Sequence, residues 1–225
     1  MIKALIFDFD GLIFDTETYE MESFEELYRE HNLEFPRQEW LECIGTMSTF
    51  DPYDKLLNQN LDLQREDLKN MFNKKYSRFI YGKQARDGVI DYLNVAHQMQ
   101  LKIGLATSSS RAWIDRHLDV IKLDSSVFDV ICTSDDVKKV KPDPELYKQC
   151  LLKLDVEAYE TIAFEDSPNG SLAAIRAGIP SVIVPNSVTE NLIFHEKVTM
   201  RLNSKKDMPL IEVIEHIHNL QKNRL

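Results

Sequence analysis

Residues 4–17 read ALIFDFDGLIFDTE. An apolar, strand-like run over 4–10 carries Asp8 and Asp10 at its far end, followed by Gly11 and, four residues later, Asp15. Unpaired carboxylates at the end of a buried strand are costly, because loss of water disfavours their charged form. Such a placement requires positive charge held against them. Four more β-rich runs follow at 102–109, 129–133, 161–166 and 181–185, with helical patterns between most of them. This alternation predicts an α/β fold: a Rossmann-like parallel-sheet core covered by helices on both faces. The helix after the fourth run is bounded by Ser167 as N-cap, Pro168 in the first turn and Gly178 at C′.

The stretch 16–81 reads differently, as helices without a strand. Met21, Phe24, Tyr28 and His31 share one helical face, and Leu68, Phe72, Tyr76 and Phe79 another. It is too long for a simple βαβ crossover, which needs only a dozen or so residues. The expectation is an inserted helical cap domain at 16–81, within a core formed by 1–15 and 82–225. Loops are expected at 34–40 and 51–54, each with a proline, and a return to the core near 82–88.

Composition narrows the partners. The chain has 225 residues and a formal net charge of −10, which argues against binding a nucleic-acid backbone. Small anionic substrates remain compatible, since a pocket can be locally positive on an acidic protein. No secretory signal pattern and no apolar stretch near the length of a membrane span is present, so a cytoplasmic protein is expected. Cys43, Cys132 and Cys150 are widely spaced, as reduced thiols would be, and none has zinc-ligand spacing.

In an open α/β sheet the ligand sits beyond the carboxyl ends of the strands. Those ends carry Asp8 and Asp10, then Thr107, Ser108 and Ser109, then Lys141 in KPDP, then Glu165 and Asp166. Hard oxygen ligands of this kind suit Mg2+. With a cation and a lysine in place, Asp8 can attack a phosphoryl group, and Asp10 can protonate the leaving oxygen and then activate water.

These stretches resemble the motifs of the haloacid dehalogenase superfamily, in the branch with a helical cap after the first strand. That branch includes β-phosphoglucomutase and phosphoglycolate phosphatase-like enzymes. Asp8, Asp10, Gly11, Asp15 and Thr16 fit DxDG(x)3D(T/S); Thr107 ends the GLATSSSR stretch; Lys141 opens KPxP; Glu165-Asp166-Ser167 with Gly170 forms the acidic motif. The match spans essentially the whole chain. The resemblance implies Asp8 as nucleophile, Asp10 as general acid/base, and Thr107, Ser108 and Lys141 around the phosphoryl group. It implies Mg2+ held by Asp8, Asp166 and the Asp10 backbone carbonyl, with Glu165 in support. The implied activity is a Mg2+-dependent phosphatase acting on a small phosphorylated metabolite, sugar phosphate-like, through an aspartyl-phosphate. Members that cleave carbon–halogen bonds lack an aspartate equivalent to Asp10.

Two alternatives stand beside it. A β-phosphoglucomutase-like phosphomutase would carry a histidine at position 20 and an arginine in the cap loop. Here the residues are Glu20 and the 45–49 loop Gly-Thr-Met-Ser-Thr, although Lys74, Lys75 and Arg78 could supply a cap cation. A non-enzymatic receiver-like phosphorylation switch is opposed by the long insertion and by Asp10. The remaining polar residues have plainer readings. Lys138 and Lys139 are solvated, Asp143 and Ser167 are caps, and Asp15 with Thr16 forms a hinge and cap. Trp40 and Trp113 are packing residues, and His31 and His97 lie on helix faces. Glu17 and Glu20 are good helix formers first and cleft residues second. His216 and His218 ride on a terminal helix that buries Ile211, Ile214 and Ile217.

Overall fold

A computed structural model describes residues 1–46, 50–59 and 63–222. Among them, six strands form one parallel sheet: β1 (Ala4–Phe7), β2 (Lys102–Ala106), β3 (Val130–Cys132), β4 (Thr161–Glu165), β5 (Ser181–Ile183) and β6 (Met200–Arg201). Their order is β3-β2-β1-β4-β5-β6. The chain winds to one side of β1 and then to the other, so the crevice between β1 and β4 is the switch point. Every residue of β1 and β4 is buried, as central strands covered on both faces must be. The fold is therefore α/β with a Rossmann-like parallel sheet. β6 is not visible in the sequence, because two residues carry no periodicity.

The strands stop earlier than their apolar runs suggest. β1 ends at Phe7 and β2 at Ala106, so Asp8, Asp10 and 107–109 stand on the loops beyond the sheet. Those loops are still fastened to it: the Asp8 amide donates to the Phe164 carbonyl and the Thr107 amide to that of Cys132, both at 3.0 Å.

Between β1 and β2 lie α1 (Thr16–Glu30), α2 (Arg37–Leu41), α3 (Asp54–Gln59), α4 (Arg65–Ile80) and α5 (Val89–Gln98), with no strand among the described residues. α1 and α4 pack through aromatic rings; Phe24 stacks on Phe72 with centroids 4.2 Å apart. Met21, Phe24 and Tyr28 are buried as expected, whereas His31 is the C-cap residue. On α4, Ile80 is buried and Phe79 is only partly covered. The loop expected at 34–40 is in part helix: α2 follows Pro36 and buries Trp40 against Phe35. Proline suits a helix start, since its missing N–H needs no partner there.

The rest of the core contributes α6 (Arg111–Ile121), α7 (Glu145–Leu154), α8 (Pro168–Arg176) and α9 (Leu210–Lys222). α8 has the expected ends: the Ser167 hydroxyl accepts from the Gly170 amide, and Gly178 takes a positive φ just past the C-cap. α9 buries Leu210, Val213 and Ile217, while Ile211 is exposed and Ile214 half-buried. The buried stripe is thus rotated from the one read in the sequence. Isoleucine at 211, 214 and 217 mimics a face that Leu210 and Val213 occupy.

Where the chain returns from its helical insertion, Arg86 ties three segments together. Its guanidinium donates to the carbonyls of Gly11, Val184 (3.0 Å) and Pro185 (2.8 Å). The buried Lys205 adds a 2.9 Å bond to the Leu12 carbonyl. The loop after β1 is therefore held from both sides, which matters because it carries Asp8 and Asp10.

Candidate active site

The centre of the site is a buried ion cluster. Lys141 Nζ lies 2.6 Å from Asp8 Oδ1 and 2.7 Å from Glu165 Oε1. The Tyr147 hydroxyl also donates to Glu165 Oε1. Carboxylate oxygens of Asp8, Glu165 and Asp166 lie within 4.8 Å of one another. Burial works against the Lys141 charge, yet Asp8 and Glu165 outweigh it and hold the ammonium above its ordinary value. Burial first, then Glu165, push Asp8 well above the ordinary carboxylate range against the pull of Lys141. The crowding contributes to both directions: three buried carboxylates share one contacting ammonium, which favours the lysine's charge and disfavours that of Asp8.

Three further observations fit a divalent cation here. Glu165 Oε2 and Asp166 Oδ1 are buried without a hydrogen-bond partner, a costly state for carboxylate oxygens. A Cβ at Gly11 would stand 2.1 Å from Asp166 Oδ2, and one at Gly170 2.0 Å from Glu165 Oε2, so backbone makes room for both groups. The donors are all hard oxygens, the set that Mg2+ prefers.

Asp166 is supported from behind. Asn186 Nδ2 donates to Asp166 Oδ2 at 3.1 Å and to Glu17 Oε2 at 3.2 Å. Burial, then the Asp166 charge and a hydrogen bond to it, push Glu17 well above the carboxylate range. Burial and Glu165 raise Asp166 to about 7, with the Glu17 hydrogen bond opposing.

Asp10 faces a different set of groups. Its Oδ1 accepts from Thr16 Oγ1 (2.8 Å) and Trp113 Nε1 (2.7 Å). Its Oδ2 accepts from Ser109 Oγ (2.7 Å) and Thr107 Oγ1 (3.3 Å). Four donors from three segments hold this carboxyl beside the acidic cluster and outside it. Behind Trp113 the array continues: His117 Nδ1 lies 2.7 Å from the Trp113 carbonyl, and Nε2 lies 2.8 Å from the Tyr76 hydroxyl. Burial lowers the His117 value, so the ring is neutral and α4 is linked to the Asp10 array through it.

Asp8 and Asp10 open into a cavity of about 530 Å³ between the loops after β1 and β2 and the helices α1 and α4. Thr107, Ser108 and Ser109 line it, and Phe24, Phe72 and Trp113 wall it. Glu20 lines it too; burial, then Asp10, raise its carboxyl to about 8. The helical insertion closes one side: Ser108 Oγ donates to the Gly45 carbonyl (3.1 Å), Asn169 Nδ2 to that of Ile44 (2.8 Å), and Thr46 Oγ1 to that of Lys141. Met47, Ser48 and Thr49 of the loop read in the sequence lie outside the described residues.

The structure thus brings Asp8, Lys141, Glu165 and Asp166 into one cluster, and sets Asp10, Thr107 and Ser108 along the adjoining cavity. Several plainer readings need correction. Trp113 packs on Tyr76 but also donates to Asp10, and Glu17 is buried against Asp166. Asp15 sits at the N-cap of α1 without a side-chain cap bond, while the Thr16 hydroxyl serves Asp10. Lys75 and Arg78 are engaged by Glu26, and Lys75 also by Glu30, on the outer side of α1 and α4; Lys74 is exposed. Sequence reasoning misses Tyr147, Asn186 and Arg86. Asn186 does have a signal, because it directly follows the fifth strand run and so falls under the strand-end rule. Tyr147 lies inside α7 and gives no local signal.

Comparison with known proteins identifies the family. The model of the haloacid dehalogenase-like hydrolase family matches residues 5–184. The chain belongs to that family. It is 46% identical over 220 residues to "Putative phosphatase YhcW" of Bacillus subtilis (strain 168), covering 97% of this chain and 99% of that protein. It is 30% identical over 193 residues to the phosphorylated carbohydrates phosphatase of Thermotoga maritima, covering 80% and 84% of the two. The crystal structure of CbbY from Rhodobacter sphaeroides in complex with phosphate superimposes with a TM-score of 0.70 at 25% identity, covering 91% of this chain and 95% of that one.

Proposed function

We propose that this chain is a Mg2+-dependent phosphatase of a small, sugar-like phosphorylated metabolite, working through an aspartyl-phosphate on Asp8. The observation that carries it is the buried cluster of three carboxylates on one ammonium, Asp8–Lys141–Glu165–Asp166, whose Asp8 opens onto a cavity sized for a small ligand. Asp8, Glu165 and Asp166, with the Asp10 carbonyl, would hold the Mg2+. The bound cation would neutralise charge on the transferring oxygens. Lys141 orients Asp8 and favours its ionised form, and the cation would add to that pull. Asp10 donates a proton to the leaving oxygen and then takes one from the attacking water. Thr107 and Ser108 receive the phosphoryl oxygens. Residues 16–81 act as a cap over the core of 1–15 and 82–225, excluding bulk water.

Water rather than a sugar hydroxyl is the acceptor in this reading. A mutase must hold a second phosphate, and among the described residues no lysine, arginine or histidine lines the cavity. The phosphatase names of the two relatives above support the same choice.

The test is release of inorganic phosphate from p-nitrophenyl phosphate. Turnover is expected with Mg2+ and lost in EDTA; a rate unaffected by EDTA sinks the metal assignment, and no turnover under any metal sinks the phosphatase. Thermal denaturation gives a second check. Asp8 and Asp166 sit above their unfolded values, so protons compete with the cation, and its stabilisation grows as pH rises through about 7. Mg2+ should therefore raise the melting temperature more at about pH 8 than at about pH 6. An equal rise at both would place the cation elsewhere.

A further inference from the structure

The cavity is divided. Asp8 and the 107–109 hydroxyls form its floor, while α1, α4 and the neighbouring loops form the half that a leaving group would occupy. That half is aromatic and acidic. Phe24, Phe72 and Trp113 line it, and Glu20 of α1 lies on the same wall. Glu17, the other acid on this wall, is engaged by Asn186 and Asp166. Glu20 has no hydrogen bond or ion pair among the described residues, so its carboxyl is available to a ligand.

Among the described residues, no lysine, arginine or histidine lines this cavity. Lys75 and Arg78 are paired with Glu26, and Arg65 with Asp51 and Asp54. The sequence at 47–49 and 60–62 contains no lysine, arginine or histidine. An ammonium seated beside Glu20 favours the ionised form of its carboxyl, and in either form that carboxyl exchanges hydrogen bonds with hydroxyls. A second anionic group on the substrate would instead find no cation along the lining and only acidic groups beside it.

We propose that Glu20 is the specificity-determining residue of a leaving-group subsite that takes monophosphates of amine-bearing or uncharged polyols and rejects those carrying a second anion. The proposal rests on the phosphatase reading for the position of the phosphate, and it adds the class of molecule attached to that phosphate.

Three phosphates of similar size test it: glucosamine 6-phosphate, glucose 6-phosphate and 6-phosphogluconate. Their binding to the Asp8→Asn chain in Mg2+ is measured by calorimetry, so the ranking does not need turnover. Glucosamine 6-phosphate is expected to bind at least as tightly as glucose 6-phosphate, and at least about tenfold more tightly than 6-phosphogluconate. Adding Glu20→Gln should collapse the amine-over-carboxylate ratio, and Glu20→Lys should invert it. The two variants guard each other against a folding defect, and a ratio read within one protein is insensitive to a partial one. A ratio under about tenfold with Glu20 intact, a ratio that survives both substitutions, or no binding by any of the three overturns the proposal. Hydrolysis of p-nitrophenyl phosphate by the unaltered chain is scored separately. An inert enzyme with the expected ranking sinks the phosphatase reading alone, and an active one with a flat ranking sinks the subsite alone.

Discussion

Asp8→Asn is expected to leave a folded protein whose Mg2+-dependent turnover of p-nitrophenyl phosphate is lower by roughly 10^4-fold or more, the scale seen when a nucleophile is removed. Asparagine keeps the shape of the side chain and an oxygen that can still accept from Lys141, which sits 2.6 Å away in the unaltered protein. It also removes one of the charges crowded into the cluster, where burial and Glu165 already disfavour the ionised Asp8. The denaturation midpoint in EDTA should therefore be at least as high as that of the parent chain. The two readouts separate chemistry from folding. Retained Mg2+-dependent turnover in a folded variant would show that another group attacks; lost turnover together with a lost fold would show that Asp8 is structural first.

Lys141→Met should produce the largest loss of stability of any single substitution at the site. The lysine is fully enclosed between Asp8 and Glu165, and methionine has nearly its length without its charge. Breaking a buried pair by removing one partner costs about 3–5 kcal/mol, because the other charge is left uncompensated. Two carboxylates are left here. For a chain of this size that loss lowers the melting temperature by roughly 6–20 °C. The measurement belongs in EDTA, where no added cation can replace the ammonium. The variant should recover stability as pH falls, since the stranded carboxylates then protonate and no longer need a counter-charge. A variant within about 1 kcal/mol of the parent would mean that the Lys141 charge does not hold the cluster together.

Much of this site is legible in the amino-acid sequence. Asp8, Asp10, Thr107, Lys141, Glu165 and Asp166 are far apart along the chain, yet each closes an apolar run or lies in a short motif just beyond one. A parallel sheet aligns such ends on one edge, so the topology follows from the alternation of runs. The residues that sequence reasoning misjudges have a different character. Trp113, Glu17 and Glu20 lie on helices, where a single sequence gives the face only relative to its own neighbours. Nothing local says that the first turns of α1 and α6 point at the strand ends. Lys75 and Arg78 mislead for the same reason, since their partners Glu26 and Glu30 lie on another helix.

The sequence by itself determined the α/β class, the helical insertion, and which side chains stand at the carboxyl edge of the sheet. Strand periodicity, cap residues and motif spacing are local, and local patterns survive in one dimension. The charge state of the cluster and the character of the cavity were decided only by the tertiary structure. One ammonium among three buried carboxylates, two carboxylate oxygens without partners, and a cavity wall that joins aromatic residues with Glu20 arise from groups that approach across the fold. Desolvation and Coulomb interaction depend on distance and burial, and neither quantity exists until the chain has folded.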